Sequence, residues 1–126
     1  MAKSPIHNPI AKEELLWVRK DGSEIAVLAQ IGMPYRVDEY SWACPAELRG
    51  IESQYPDMHG VSSMQALNLA IRLIRTRLGH LIDDNETLFY PGNRGEKLDV
   101  DSLDNVFGYA APSNSQIDPD ASYRSS

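Results

Sequence analysis

The sequence predicts an α+β fold: a small antiparallel sheet of about four strands, in the order β-β-β-α-β, packed on one long amphipathic helix. Three observations predict it. The stretch "GVSSMQALNLAIRLIRTRLGH", residues 60–80, repeats apolar residues at intervals of three and four. Ahead of it stand runs rich in branched and aromatic residues, the first two joined by Asp21-Gly22, a hairpin signal. Behind it comes one more such run, "ETLFYPG". Strands that cluster rather than alternate with helices place the helix against one face of a mainly antiparallel sheet.

Each element follows from its residues. Residues 1–13 contain Pro5 and Pro9 and read as a flexible N-terminal arm; the folded domain is expected over 14–92. "LLWVR" at 15–19 is a strand, and Gly22 in "KDGS" supplies the positive φ of a tight primed turn. "EIAVLAQIGMPYR" returns as the second strand, with pairing ending or bulging near Met33, because Pro34 has no N–H to donate. "EYSWACPAELRGIE" alternates, with Tyr40, Trp42, Cys44, Ala46 and Leu48 on one face, and Pro45 marks it as an edge strand or a bulge. Residues 50–60 form a connection with a turn at 54–56. Residues 93–126 are expected to be acidic and irregular: "GNRGEKLDVDSLDNVFGYA" matches no period, and "PSNSQIDPDASYRSS" has the composition of disorder.

The helix is specified in most detail. Ser62 is an N-cap and Gln65 stands at capping-box spacing from it. Met64, Leu67, Ile71, Ile74, Leu78 and Leu81 fall within one stripe of about 100°, flanked by Ala66 and Ala70. Leu69 and Leu73 fall outside that stripe, and Arg72 and Arg75 lie on the polar side. These four are the candidate partner-binding residues. Two other roles stand beside that one: the segment after Tyr90 could fold back over Leu69 and Leu73, and the arginines could complement the helix dipole. Gly79 suggests the helix ending. Arg77 projects near the apolar arc, with Asp83, Asp84 and Glu86 as available acids.

Charge narrows the partners. Residues 1–82 carry nine basic and nine acidic residues; residues 83–126 carry three basic and nine acidic, which accounts for the whole net charge of −6. Such a surplus repels phosphate, so neither nucleic acid nor an anionic membrane is expected as partner. The lone Cys44 fits a reducing compartment, the N-terminal residues lack a secretory apolar run, and no window approaches the ~20 apolar residues of a membrane span. The expected location is the cytoplasm.

No catalytic signature is found. "GVSSM" lacks the second glycine of a nucleophile elbow, and the place of Cys44 among Tyr40, Trp42 and Leu48 reads as a buried apolar side chain. "HLIDD" offers one histidine and no cysteine pair for a metal. "DVDSLDN" fails the calcium-loop pattern at Leu103 and Asp104. "GNRG" is a turn without the following helix of a phosphate cradle. Hence no catalytic residue, metal or cofactor is expected.

Trp42-x-Cys44, Gly50, and then "GVSSMQALNLA" from Gly60 resemble a family of small uncharacterised bacterial proteins with a W-x-C strand and a G-x-[DS]-S-x-Q-A-L-x-L-A helix start. Ser62 stands where that pattern typically has Asp, and either residue caps a helix. The resemblance covers about residues 15–90. It implies a bacterial cytosolic origin and a sheet-plus-helix domain, and it transfers no activity.

These readings converge on a non-enzymatic bacterial protein-binding module. Its form could be an immunity-type protein neutralising a toxin, with a basic protein surface as the complementary partner. The alternative is a homodimer that binds a small ligand between sheet and helix, motivated by Tyr35, Tyr40 and Trp42 near Arg36.

Overall fold

The computed structural model of the protein describes residues 6, 8–51 and 55–108. Among these are seven strands: β1 (Ala11–Val18), β2 (Glu24–Ile31), β3 (Tyr35–Asp38), β4 (Ser41–Cys44), β5 (Ala46–Arg49), β6 (Met58–Gly60) and β7 (Thr87–Phe89). There are two helices, α1 (Ser63–Asp83) and α2 (Val100–Phe107). The class is α+β, as expected, with antiparallel pairing throughout. The count is not: in place of one sheet and one helix there are two sheets, ordered β5-β2-β1-β7 and β3-β4-β6.

The two sheets come from one bent hairpin. β1 and β2 pair from Ala11↔Ile31 to Val18↔Glu24. Their turn is a three-residue loop rather than the two-residue primed turn: Arg19 N–H donates to Ser23 O and Gly22 N–H to Arg19 O, with Gly22 at φ +91°. A type I turn closed by a left-handed residue has this pattern. β2 then pairs with β5 as far as Ile31↔Ala46. Beyond that point Gly32, Met33 and Pro34 oppose only Cys44 and Pro45, and pairing resumes at Tyr35↔Ala43 in the other sheet. Pro45 cannot donate to a ladder, so the run expected as one strand is cut there into β4 and β5. Gly32 N–H donates to Pro45 O at 3.0 Å, and a Cβ on Gly32 would stand 3.0 Å from the proline ring. β6, inside the expected connection, completes the second sheet through Trp42↔Gly60 and Cys44↔Met58. The turn expected at 54–56 begins outside the described residues.

α1 packs across both sheets, touching β2, β5 and β7 of the first and β4 and β6 of the second. Ser62 is its N-cap and accepts from Gln65 N–H at 3.1 Å, while Gln65 Oε1 accepts from Val61 N–H at 2.6 Å. The buried line is Ala66, Ala70, Ile74 and Leu78, each four residues from the last. Met64, expected in the stripe, is 73% exposed. The alanines set the contact because they let the backbone approach: a Cβ on Gly60 of β6 would lie 2.8 Å from Ala66 N. Together with Leu15, Val27, Leu48 and Leu88 from the first sheet, this line makes the core.

α2 lies where the sequence predicts an irregular segment. Asp99 caps it, accepting from Ser102 N–H, while the Ser102 hydroxyl accepts from Asp99 N–H. The Ser102 N–H and the Ser102 hydroxyl, both donating to Asp99 Oδ1 at 2.9 Å, hold the Asp99 carboxyl below its ordinary pKa. Leu103 is buried, and Asp104 reaches Arg75 of α1 with Oδ1 2.8 Å from Nη2 and 3.2 Å from Nε. Gly79, rather than ending α1, clears room for this guanidinium: a Cβ there would stand 2.8 Å from Arg75 Nη1. The disorder expected of the tail after residue 108 lies outside the described residues.

The expected arm, 1–13, is shorter than the sequence suggests, because β1 begins at Ala11 and Ile6 is tied to the sheet. Ile6 N–H donates to Glu47 Oε2 at 3.1 Å, and Ile6 O accepts from Gln30 Nε2 at 3.2 Å and from Arg49 Nη2 at 3.3 Å. Glu47 Oε1 accepts from Gln30 Nε2 at 2.6 Å and from Arg49 Nε at 3.2 Å. A carboxylate 2% exposed is thus met at both oxygens, as burial of a charge demands.

Two substitutions test this architecture. Gly50 has φ +96°, and a Cβ there would collide with the Ala26 carbonyl. Gly50→Ala should therefore cost more than ~1 kcal/mol in a urea unfolding curve. Asp104→Ala leaves a buried guanidinium unpaired and should cost about 2–4 kcal/mol by the same measurement.

Candidate functional site

The second sheet carries the most exposed apolar surface. Among the described residues nine large apolar side chains are exposed, and six of them flank or belong to it: Met33, Tyr35, Val37, Tyr40, Val61 and Met64. β3 is its edge, and all four of its residues are exposed. The register shifts between Arg36 and Asp38, which leaves Val37 on a bulge. In the turn that follows, Asp38 Oδ1 accepts from Tyr40 N–H at 2.8 Å and from the Ser41 hydroxyl at 3.0 Å. Arg36 closes the turn from the other side, donating from Nε to Asp38 O at 3.0 Å and from Nη2 to Glu39 O at 3.2 Å. A braced turn thus holds Tyr40 in solvent at 79% exposure. Continuing the Trp42↔Gly60 register brings Ser41 opposite Val61, so Val61 and Met64 stand at the same end of the sheet.

The back of this sheet is tied by Tyr35, whose hydroxyl donates to Asp57 Oδ2 across β4. Ala43, paired with Tyr35 and lying between the two, is fully buried. The Asp57 carboxylate holds the phenol proton and pushes the Tyr35 pKa from 10.0 up to about 12.

The residues singled out by sequence are placed differently from one another. Arg75 is 4% exposed and engaged by Asp104, so it faces the protein's own second helix. Leu73 is half-buried and packs against the core. Leu69 and Arg72 are half-buried. Leu69 lies about 120° round α1 from Arg75, away from the flank that α2 covers. The C-terminal segment therefore folds onto the arginine side of α1. Glu86, one of the acids available to Arg77 in sequence, accepts from Trp17 Nε1 at 3.0 Å and pairs with Lys20 at 3.5 Å. Tyr35, Tyr40 and Trp42 do not converge: Trp42 faces the core beside Arg36, Tyr35 faces the opposite side, and Tyr40 points out. Cys44 is fully buried, its thiol donating to Gly32 O at 3.5 Å. Among the described residues no group of three or more His, Cys, Asp or Glu is placed to hold a metal ion, and no helix is long and apolar enough to cross a membrane.

A second feature was invisible in the sequence. A cavity of about 210 Å³ opens between the first sheet and the two helices, lined by Ala11 to Glu13 of β1, Ala29 and Ile31 of β2, Ile71 and Ile74 of α1, and Val106 and Phe107 of α2. Finding it required α2, and the signals of α2 were Asp99 three residues before Ser102 and apolar Val100, Leu103 and Phe107 behind them.

Residues 12–99 match the family described as a domain of unknown function, DUF6968. The chain belongs to this family. No curated protein and no solved structure matches it. The DUF6968 match runs from the second residue of β1 to the cap of α2. Apart from Ala11 it contains both sheets, α1, and the sheet and α1 walls of the cavity, while the wall made by Val106 and Phe107 lies beyond it.

Two measurements probe the exposed sheet of this DUF6968 domain. Asp38→Ala should speed hydrogen exchange at Tyr40 N–H, and Asp38→Asn should restore much of the protection because its side-chain oxygen still accepts. In ultraviolet titration the Tyr35 phenol should lose its proton near pH 12, a step absent in Tyr35→Phe. The folded chain holds this proton more tightly than the unfolded one. Its contribution to stability is therefore complete below pH 10 and vanishes as pH rises toward about 12.

Proposed function

We propose that this chain is a non-enzymatic protein-recognition module that binds its partner through the β3 edge and the Tyr40 turn. One observation carries the reading: among the described residues six of the nine exposed large apolar side chains belong to or flank this sheet, and four of them, Val37, Tyr40, Val61 and Met64, stand at the end whose turn is braced by Asp38 and Arg36. Apolar side chains gathered on one surface mark an interaction site more often than scattered ones do. A rigidly presented tyrosine is a typical anchor, since it brings large contact area at little entropic cost. An edge strand adds unpaired N–H and C=O groups to which a partner strand can couple. This surface replaces the α1 face of Leu69, Arg72, Leu73 and Arg75 as the preferred site, because Arg75 already has its acid and Leu73 its core.

In its specific form the proposal is a bacterial, cytoplasmic immunity-type protein whose partner is a toxin with a basic surface. The net charge of −6 and the small chain support this form, and a buried reduced cysteine fits a reducing compartment. The test is co-expression with a toxin encoded beside the gene. Wild type and Leu69→Asp should protect growth, whereas Val37→Asp combined with Tyr40→Asp should fail to protect while keeping the wild-type circular dichroism and melting temperature. Full protection by that double variant would overturn the proposal.

A further inference from the structure

We infer that the cavity between the first sheet and the helices is a binding site for a small organic cation, an ammonium group carried on a compact aromatic or branched hydrocarbon body. The inference stands apart from the recognition surface on the second sheet and survives its failure.

Size and lining define the body of the ligand. Ala29, Ile31, Ile71, Ile74 and Phe107 give an apolar floor and walls. An apolar cavity of ~150 Å³ admits benzene, so about 210 Å³ leaves room for a six-membered ring with a short arm. Ala11, Lys12 and Val106 are exposed and mark the open side.

The charge of the head follows from Glu13. Its partner in the ladder is Ala29, and it shares a face with Leu15 and Trp17, so its side chain stands on the helix side of the sheet among core residues. It lines the cavity and is half-buried. Among the described residues no hydrogen-bond donor or ion-pair partner meets its carboxylate. This contrasts with Glu47 on the opposite face, whose two oxygens accept three hydrogen bonds. A half-buried carboxylate at the rim of an apolar cavity is the element that fixes orientation in sites of this kind, where a few polar groups sit in a hydrophobic lining. Tyr90 lies close enough for the Glu13 charge to add to burial in raising its phenol pKa, so its hydroxyl stays neutral beside the carboxylate. Lys12, the cation in the lining, is exposed and alternates to the other face of β1, so the carboxylate is the charge on the helix side; an ammonium is the head that it selects, and a carboxylate head is the one it repels.

Three probes with one body separate the possibilities: phenethylammonium, 2-phenylethanol and 3-phenylpropionate, each titrated into the full chain and followed by the methyl resonances of Ile31, Ile71 and Ile74. Phenethylammonium should shift these methyls and bind about tenfold more tightly than the alcohol, with the propionate weakest. Glu13→Gln, nearly the same in shape, should bring the ammonium down to the affinity of the alcohol and leave the alcohol unchanged. Ile71→Phe, which fills the floor, should weaken all three at a wild-type fold. Equal binding of ammonium by Glu13→Gln, preference for the propionate, or unmoved methyls with all three probes would overturn the inference.

Discussion

The structure depends on the corner at Gly32 and Pro45. An ordinary hairpin of this length would run on as one twisted ribbon with a single buried face. Here the ring of Pro45 removes a ladder donor, Gly32 gives way to that ring, and three residues on one strand oppose two on the other. The strands change direction and enter a second sheet, as bulged corners commonly allow. Two sheets that both contact a helix enclose it more fully than one can. That is why α1 buries a line of side chains from Ala66 to Leu78 rather than resting on a flat surface.

The corner also divides the roles of the two sheets. The first sheet is covered on its inner face by α1, and at one corner of its outer face Glu47, Gln30 and Arg49 are bound to the backbone of Ile6. The second has β4 at its centre, with β6 toward the helix and β3 left as an edge. Having only three short strands, it covers little of itself, and its apolar side chains remain in solvent. The Asp38 turn and the Tyr35 hydroxyl hold it rigid where packing does not. Exposure and rigidity together suit a surface to recognition.

α2 completes what the sheets leave open. Arg75 would be an uncompensated charge on a helix flank without Asp104, and Gly79 would be an unexplained weakness in α1 without that arginine above it. Docked through this ion pair and Leu103, α2 brings Val106 and Phe107 over the end of β1. The space beneath them is a consequence of a short helix bridging two larger bodies, with the Glu13 carboxylate on its sheet wall and Lys12 at its open side.

Local chemistry was legible in the sequence alone. The Ser62 cap with Gln65, the hairpin around Gly22 and the strand at 87–89 each depend on residues a few positions apart, and all three formed where the pattern places them. The division at Pro45 was hidden because Trp42, Cys44, Ala46 and Leu48 keep facing inward across it, so the period of two never breaks while the sheet changes. β6, at three residues, is too short to show a period of its own, and the period of α2, Val100, Leu103 and Phe107, spans only two turns inside a mostly polar stretch. The partner of Arg75 stands 29 residues away, and the cavity needs four elements to exist at all. Hydrogen bonds within a turn are determined by the chain that makes them; burial and ion pairs between elements are determined by how those elements meet, which only the packed structure decides.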